Sequence, residues 1–175
     1  MSGIKNQIIS MSANVEIAKR AFIPDPKGME IAPDGRRGRY APWEKQEVHN
    51  LLTDAGRDFL HLNGYETTGL GANGGNYIAL SVNTDGAANA HTSLAGEIVA
   101  DGLERAQGAV THGAGETTST VVKTFTASDT HTAVQLCGLF TASTAGTLVH
   151  EATFTAVNLE NADQLQVTWT ITIND

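Results

Sequence analysis

The most regular stretch of the chain is its last, where Leu165, Val167, Trp169, Ile171 and Ile173 alternate with Gln166, Thr168, Thr170 and Thr172. A period of two sends successive side chains to opposite faces, so this segment predicts a strand with one buried and one wet face. The same reading predicts a strand at Tyr77–Val82, between the Gly/Asn-rich runs 69–76 and 83–89, and further strands at 116–127, 131–142 and 148–159. Weaker candidates lie at 94–99 and 103–110, the latter with Leu103, Arg105 and Gln107 on one face. About seven short strands separated by Gly, Ala and Asn turns predict a mainly β fold, an antiparallel β-sandwich that is jelly-roll-like, with barrel closure as the alternative. Its expected core includes Ile78, Leu80, Phe125, Leu139, Phe154, Val167, Trp169 and Ile171.

Ahead of the strands the period is 3.6. Thr53 to Gly64 offers a capping residue at Thr53 or Asp54, apolar positions Ala55, Phe59 and Leu62, and a glycine stop, which predicts one short helix. A helix of that length must dock on something larger. Val48 to Leu52 reads as a short strand or as the lead-in to this helix. All four prolines, Pro24, Pro26, Pro33 and Pro42, fall before it among Gly28, Gly35 and Gly38, a mixture without apolar period that predicts extended, irregular chain. The expected organisation is an extended N-terminal arm over 1–46, reaching from about residue 14, a connector with the helix over 47–64 and a β-sandwich domain over 65–175. Arm and domain are expected to be separable, so that deleting 1–46 leaves a soluble domain.

Charge follows the same division. Residues 1–65 carry nine Lys/Arg against eight Asp/Glu, whereas 66–175 carry only Arg105 and Lys123 against eleven acids, giving nets of +1 and −9 within a total of −8. An acidic surface repels phosphate backbones, so nucleic acid is not an expected partner. One cysteine, Cys137, rules out an intramolecular disulfide and a cysteine-only zinc site. No apolar run approaches membrane-spanning length, and Met1–Ser12 lacks the apolar run of a secretory signal, so the expectation is a soluble protein made in the cytoplasm.

Chemistry-bearing residues are plentiful but badly spaced for catalysis. Among His49, His61, His91, His112, His131 and His150 no pair sits at a spacing that places two imidazoles on one face, so no metal is expected. His150 and Glu151 are strand neighbours and point apart; His150 keeps phase with Leu148, Ala152 and Phe154, as a core or subunit-interface histidine does. The loop Gly69 to Gly75 precedes a strand and is followed by no Lys-Ser/Thr, unlike a phosphate cradle. Cys137 has no neighbouring base and reads as a buried, inert thiol. Asp101 with Glu104 is a carboxylate pair that solvated surface charge explains. No cofactor and no enzymatic activity are expected.

The arm holds the most informative polar cluster. Arg36, Arg37, Arg39, Tyr40 and Trp43 stand close together, with Phe22, Met29 and Ile31 upstream, and Arg with aromatic residues is what binding interfaces concentrate. Phe22, Arg36, Arg37, Arg39, Tyr40 and Trp43 are therefore the candidate partner-binding residues. The arginines suit carboxylates, which their planar forks bind through two hydrogen bonds.

The segments Gly74–Ser81, Leu94–Ile98, Gly102–Ala106, Lys123–Ala127, Gly138–Phe140, Thr147–Phe154 and Leu165–Thr170, taken in order, resemble a family of tailed-bacteriophage virion proteins, over a span from about Leu51 to Ile173. The resemblance implies a β-rich accessory structural protein of the particle, without enzymatic activity and similar to capsid decoration (cement) proteins. It further implies the major capsid protein as partner, residence in the virion after synthesis in the host cytoplasm, and a homo-oligomer, with a homotrimer favoured because decoration proteins often occupy local threefold positions. The alternative is a tail-fibre or head-fibre module that binds host-surface glycan.

Overall fold

The structure, a computed structural model, describes residues 10–65 and 74–174. In chain order its elements are β1 (Ser10–Arg20), β2 (Phe22–Pro24), β3 (Glu30–Ile31), β4 (Arg37–Tyr40), β5 (Glu44–His49), β6 (Leu51–Leu52), α1 (Asp54–Tyr65), β7 (Tyr77–Ser81), β8 (Ala106–Gln107), β9 (Ala109–His112), β10 (Thr118–Thr126), β11 (His131–Phe140), β12 (Leu148–Leu159) and β13 (Gln164–Asn174). They form a mainly β protein with one short helix and antiparallel pairing throughout. One five-stranded sheet has the order β5-β1-β13-β10-β9 and a second the order β6-β12-β11-β7-β8; β2-β4-β3 is a separate three-stranded sheet. Residues 69–73 of the glycine-rich loop lie outside the described residues.

One apolar cluster joins the two larger sheets. Val15, Ile17, Val121, Phe125, Val167 and the fully buried Trp169 come from the first sheet, and Ile78, Leu80, Cys137, Leu139, Ala152 and Phe154 from the second. All eight expected core residues lie in or against this cluster, with Ile171 at its margin and Ile173, at the end of the same strand, 52% exposed. The other face of the second sheet is also covered. Ala79, Leu136, Phe140 and Leu148 pack there with Leu94 from the chain between β7 and β8. The helix docks beside them, at β12. Thr53 caps α1 by accepting the Gly56 N–H at 2.9 Å, and its own hydroxyl donates to the carbonyls of Leu148 and Val149. A Cβ on Gly56 would stand 2.1 Å from the Val149 carbonyl oxygen, so only glycine permits this approach of helix to strand.

The expected arm is where sequence and structure part. Residues 10–20 are not an extended tether: β1 pairs with β13 over its whole length and with β5 from Asn14 to Lys19. It lies inside the first sheet and contributes Ala13, Val15, Ile17 and Ala18 to the buried interior. The physical reason is that Ala13, Val15 and Ile17 alternate with Ser12, Asn14 and Glu16, a strand signal of its own that the nearby prolines obscured. Deleting residues 1–46 would remove the interior strand β1 and the first half of the edge strand β5, so folding and the N-terminal segment are not separable. The prolines instead punctuate turns. Asp25 closes one by accepting from the Gly28 and Lys27 N–H groups, and the Gly35 N–H closes the next on the Ala32 carbonyl, with Gly35 at a φ of 83°.

Two further expectations are adjusted. Residues 94–99 make only a single bridge, Ser81 to Glu97, because Gly96 sits at a φ of 63° and breaks the extended path, although Leu94 and Ile98 are buried as a strand's inward residues would be. The 103–110 segment splits at Gly108, whose N–H donates to the Asn76 carbonyl at 2.8 Å; β8 before it joins the second sheet and β9 after it joins the first.

Candidate functional site

Residues 22–40 form a small three-stranded flap on the body. β4 is its central strand, with Phe22 opposite Tyr40, Ile23 opposite Arg39, Glu30 opposite Gly38 and Ile31 opposite Arg37. Residues paired across antiparallel strands share a face, so Phe22, Gly38 and Tyr40 point one way and Ile23, Ile31, Arg37 and Arg39 the other.

The first face is the attachment to the body. Phe22, Ala32 and Tyr40 close over Ala162 in the turn between β12 and β13. The Phe22 ring meets Tyr40 edge-on, with centroids 5.4 Å apart and planes at 70°, and its N–H donates to the buried Asp163 carboxylate at 2.8 Å. Gly38 lies under the Phe22 ring, where a Cβ would come within 2.4 Å of it. Arg20, at the end of β1, places its guanidinium 4.2 Å over the Tyr40 ring and 4.3 Å over the Trp43 ring, and donates from Nε and Nη2 to Gln164 Oε1 at 2.9 and 2.6 Å. Burial pushes the Tyr40 hydroxyl pKa up from its ordinary value. Arg36 pairs with Asp34 at 2.5 Å and reaches the Asn161 carbonyl at 3.4 Å. The Arg36 N–H, first, and then its guanidinium hold the Asp34 carboxyl below the usual carboxylate range.

Of the six residues expected to meet a partner, Phe22, Arg36, Tyr40 and Trp43 are thus engaged within the chain. Arg37 and Arg39 are exposed, and neither has an ion-pair partner among the described residues. Beside them Ile23 is 39% and Ile31 61% exposed, and Met29, in the turn before β3, is 94% exposed. Ile23 was missed by the sequence reading because an isolated isoleucine between a phenylalanine and a proline carries no period. The outcome is an isoleucine–arginine face on a rigid support.

Elsewhere the titratable groups serve the fold. His150 is buried against Trp169, ring centroids 5.8 Å apart, with Nδ1 2.6 Å from Asn50 Nδ2, and burial pushes its pKa down to about 4. Glu151 points to the opposite face of β12, is fully buried, and accepts from the Ala88 N–H at 3.0 Å and from His91 Nδ1 at 2.8 Å, pinning the loop after β7. Cys137 is buried in the core, where desolvation, reinforced by Glu151, holds the thiol well above its ordinary range and unreactive. Arg105 joins Glu97 through two hydrogen bonds, stacks 3.5 Å over Phe140 and donates to the Ala142 and Ala145 carbonyls, which ties the β7–β8 connection to the β11–β12 loop. Asp101 faces His131 at 3.5 Å, and Glu104 is exposed. Among the described residues no three His, Cys, Asp or Glu side chains gather as a metal site would require, and no helix is long and apolar enough to cross a membrane.

Comparison with protein-family models, with curated proteins and with solved structures finds no match for this chain.

Proposed function

We propose that this chain is a non-enzymatic structural protein of a phage particle, a capsid decoration protein that binds the major capsid protein lattice and associates with itself, as a trimer. In this reading the two larger sheets are the layers of a jelly-roll-like β-sandwich, the protein works without a cofactor, and it resides in the virion. The observation that carries a binding role is the flap: its inner residues are consumed in holding it rigidly on the body, while its outer face presents Ile23, Ile31, Arg37 and Arg39 to solvent. An exposed apolar face carrying arginines with no ion-pair partner among the described residues costs solubility unless something covers it. The string of strand segments that resembles tailed-phage virion proteins supports a capsid as the particle to which the chain attaches.

A glycan-binding module would need an aromatic platform open to solvent. Trp169 is fully buried and Trp43 lies under Arg20, which favours the capsid reading. The test is co-sedimentation with undecorated capsids of the encoding phage. The intact chain is expected to pellet with them, saturably; a chain that stays in the supernatant while glycan arrays respond would replace this reading with the fibre module.

A further inference from the structure

The flap's outer face has an electrostatic counterpart on the same chain. Between β7 and β8 the turn at 99–104 exposes Val99 at 79%, with Asp101 and Glu104 exposed beside it. Asp129, also exposed, lies alongside, since the Ser128 N–H donates to the Asp101 carbonyl at 2.9 Å. None of these three carboxylates pairs with Lys or Arg among the described residues; His131, 3.5 Å from Asp101, is the cation-capable neighbour. From residue 66 onward Arg105 and Lys123 are the chain's only Lys or Arg residues, and Arg105 is committed to Glu97. Among the described residues, therefore, Arg37 and Arg39 have no carboxylate partner and the carboxylates of this corner have no Lys or Arg partner. Each surface also carries exposed apolar side chains, Ile23 and Ile31 on one and Val99 on the other.

The corner lies near the flap on the same chain, Ala127 bonding Ala162 and Asp163 and Ser128 bonding Asp101, yet among the described residues Arg37 and Arg39 make no ion pair with it. Phe22, Ala32 and Tyr40 fasten the inner face to Ala162, so the Ile–Arg face is the one turned away from the body. We propose that the outer face of the flap docks on the Val99–Glu104 turn of a second copy of this chain, with Arg37 and Arg39 on the carboxylates of Glu104 and Asp129 and with Ile23 and Ile31 against Val99. This rests on the self-association contained in the proposed function and names its interface. Two different surfaces meet, and the set is complete when every flap and every turn is covered, reciprocally in a pair or around a ring. Arg37 and Arg39, two positions apart on one strand, stand roughly 7 Å from each other, a separation that lets each fork take a different carboxylate.

The experiment is analytical ultracentrifugation of the full chain over a dilution series, without capsids, at low and high salt. The wild type is expected to associate, and less so at high salt, because the contact is charge-assisted and lies at the surface. Arg37→Glu with Arg39→Glu, and separately Glu104→Arg with Asp129→Arg, are each expected to weaken association by roughly 100-fold, since like charges then face one another. Asp101 is left intact because its φ of 62° suits Asp better than Arg. The variant with all four reversals restores complementarity between neighbours and is expected to regain association. Near-UV circular dichroism from Trp169 checks that each variant is folded. A wild type that stays monomeric across the series overturns the inference, as do reversals that associate like wild type or a four-fold reversal that remains monomeric. Capsid binding is scored separately: association without attachment to capsids sinks the decoration reading alone, and attachment without association sinks this interface alone.

Discussion

Ile17→Ala tests whether the N-terminal segment belongs to the fold. Ile17 is 1% exposed, sits opposite Val167 on one side and Gln46 on the other, and lies in the cluster shared by both larger sheets. The substitution removes three carbons, about 2.4 kcal/mol of transfer free energy at ~0.8 kcal/mol each. The cavity left between two hydrogen-bonded neighbours cannot collapse freely, which brings the expected loss to about 3 to 4 kcal/mol. Against a typical stability of about 5 to 15 kcal/mol this is a large fraction. Urea denaturation followed by the fluorescence of the buried Trp169 measures it, with the midpoint expected to fall and the slope to stay constant. Ile31→Ala, on the exposed side of the flap, is the internal control and should change stability by no more than about 0.5 kcal/mol. Equal, small effects at the two positions would mean that β1 is not part of the core and would refute the reasoning.

Gln46→Ala removes the amide that donates to the Thr155 carbonyl at 3.0 Å and accepts from the Thr155 N–H at 2.8 Å, a side chain standing in for a neighbouring strand at the open edge of β12. About 1 kcal/mol of lost stability and faster aggregation on shaking, read by light scattering, are expected; an unchanged aggregation rate would show that the edge is not sealed there. His150 binds a proton less readily folded than unfolded, with a folded pKa of about 4 against an ordinary 6.5. The unfolded state therefore holds more protons between these values, and stability is full above about pH 6.5 and falls as pH drops toward 4, by up to about 3 kcal/mol. Denaturation midpoints of wild type and His150→Asn should diverge at pH 7.5 and converge toward pH 4; a constant difference would contradict the burial argument.

Where a segment is long and half-buried, its register of apolar residues was readable directly. β13 alternates from Leu165 to Trp169 as the sequence predicts, β12 spans the predicted 148–159, and Thr53 is the cap of α1. What escaped is governed by tertiary pairing. β5 reads Glu44-Lys45-Gln46-Glu47-Val48-His49, with Val48 its one apolar residue packed on the core, because it is an edge strand held by β1 and by the Gln46 contact to β12. Buried Glu151 looks like surface charge until His91 and the Ala88 N–H close over it. In the flap the arginines and aromatics were legible as a cluster, but their division into an inward set and an outward set depends on the strand register around Gly38, which no periodicity encodes.

The central claim is that this chain decorates a capsid, and its copy number in purified virions of the encoding phage tests that most directly. Quantitative densitometry or mass spectrometry against the major capsid protein is expected to find it in numbers comparable to the capsid subunits, released by mild denaturant before the shell opens. A handful of copies per particle, or copies that fractionate with tails, would contradict the account.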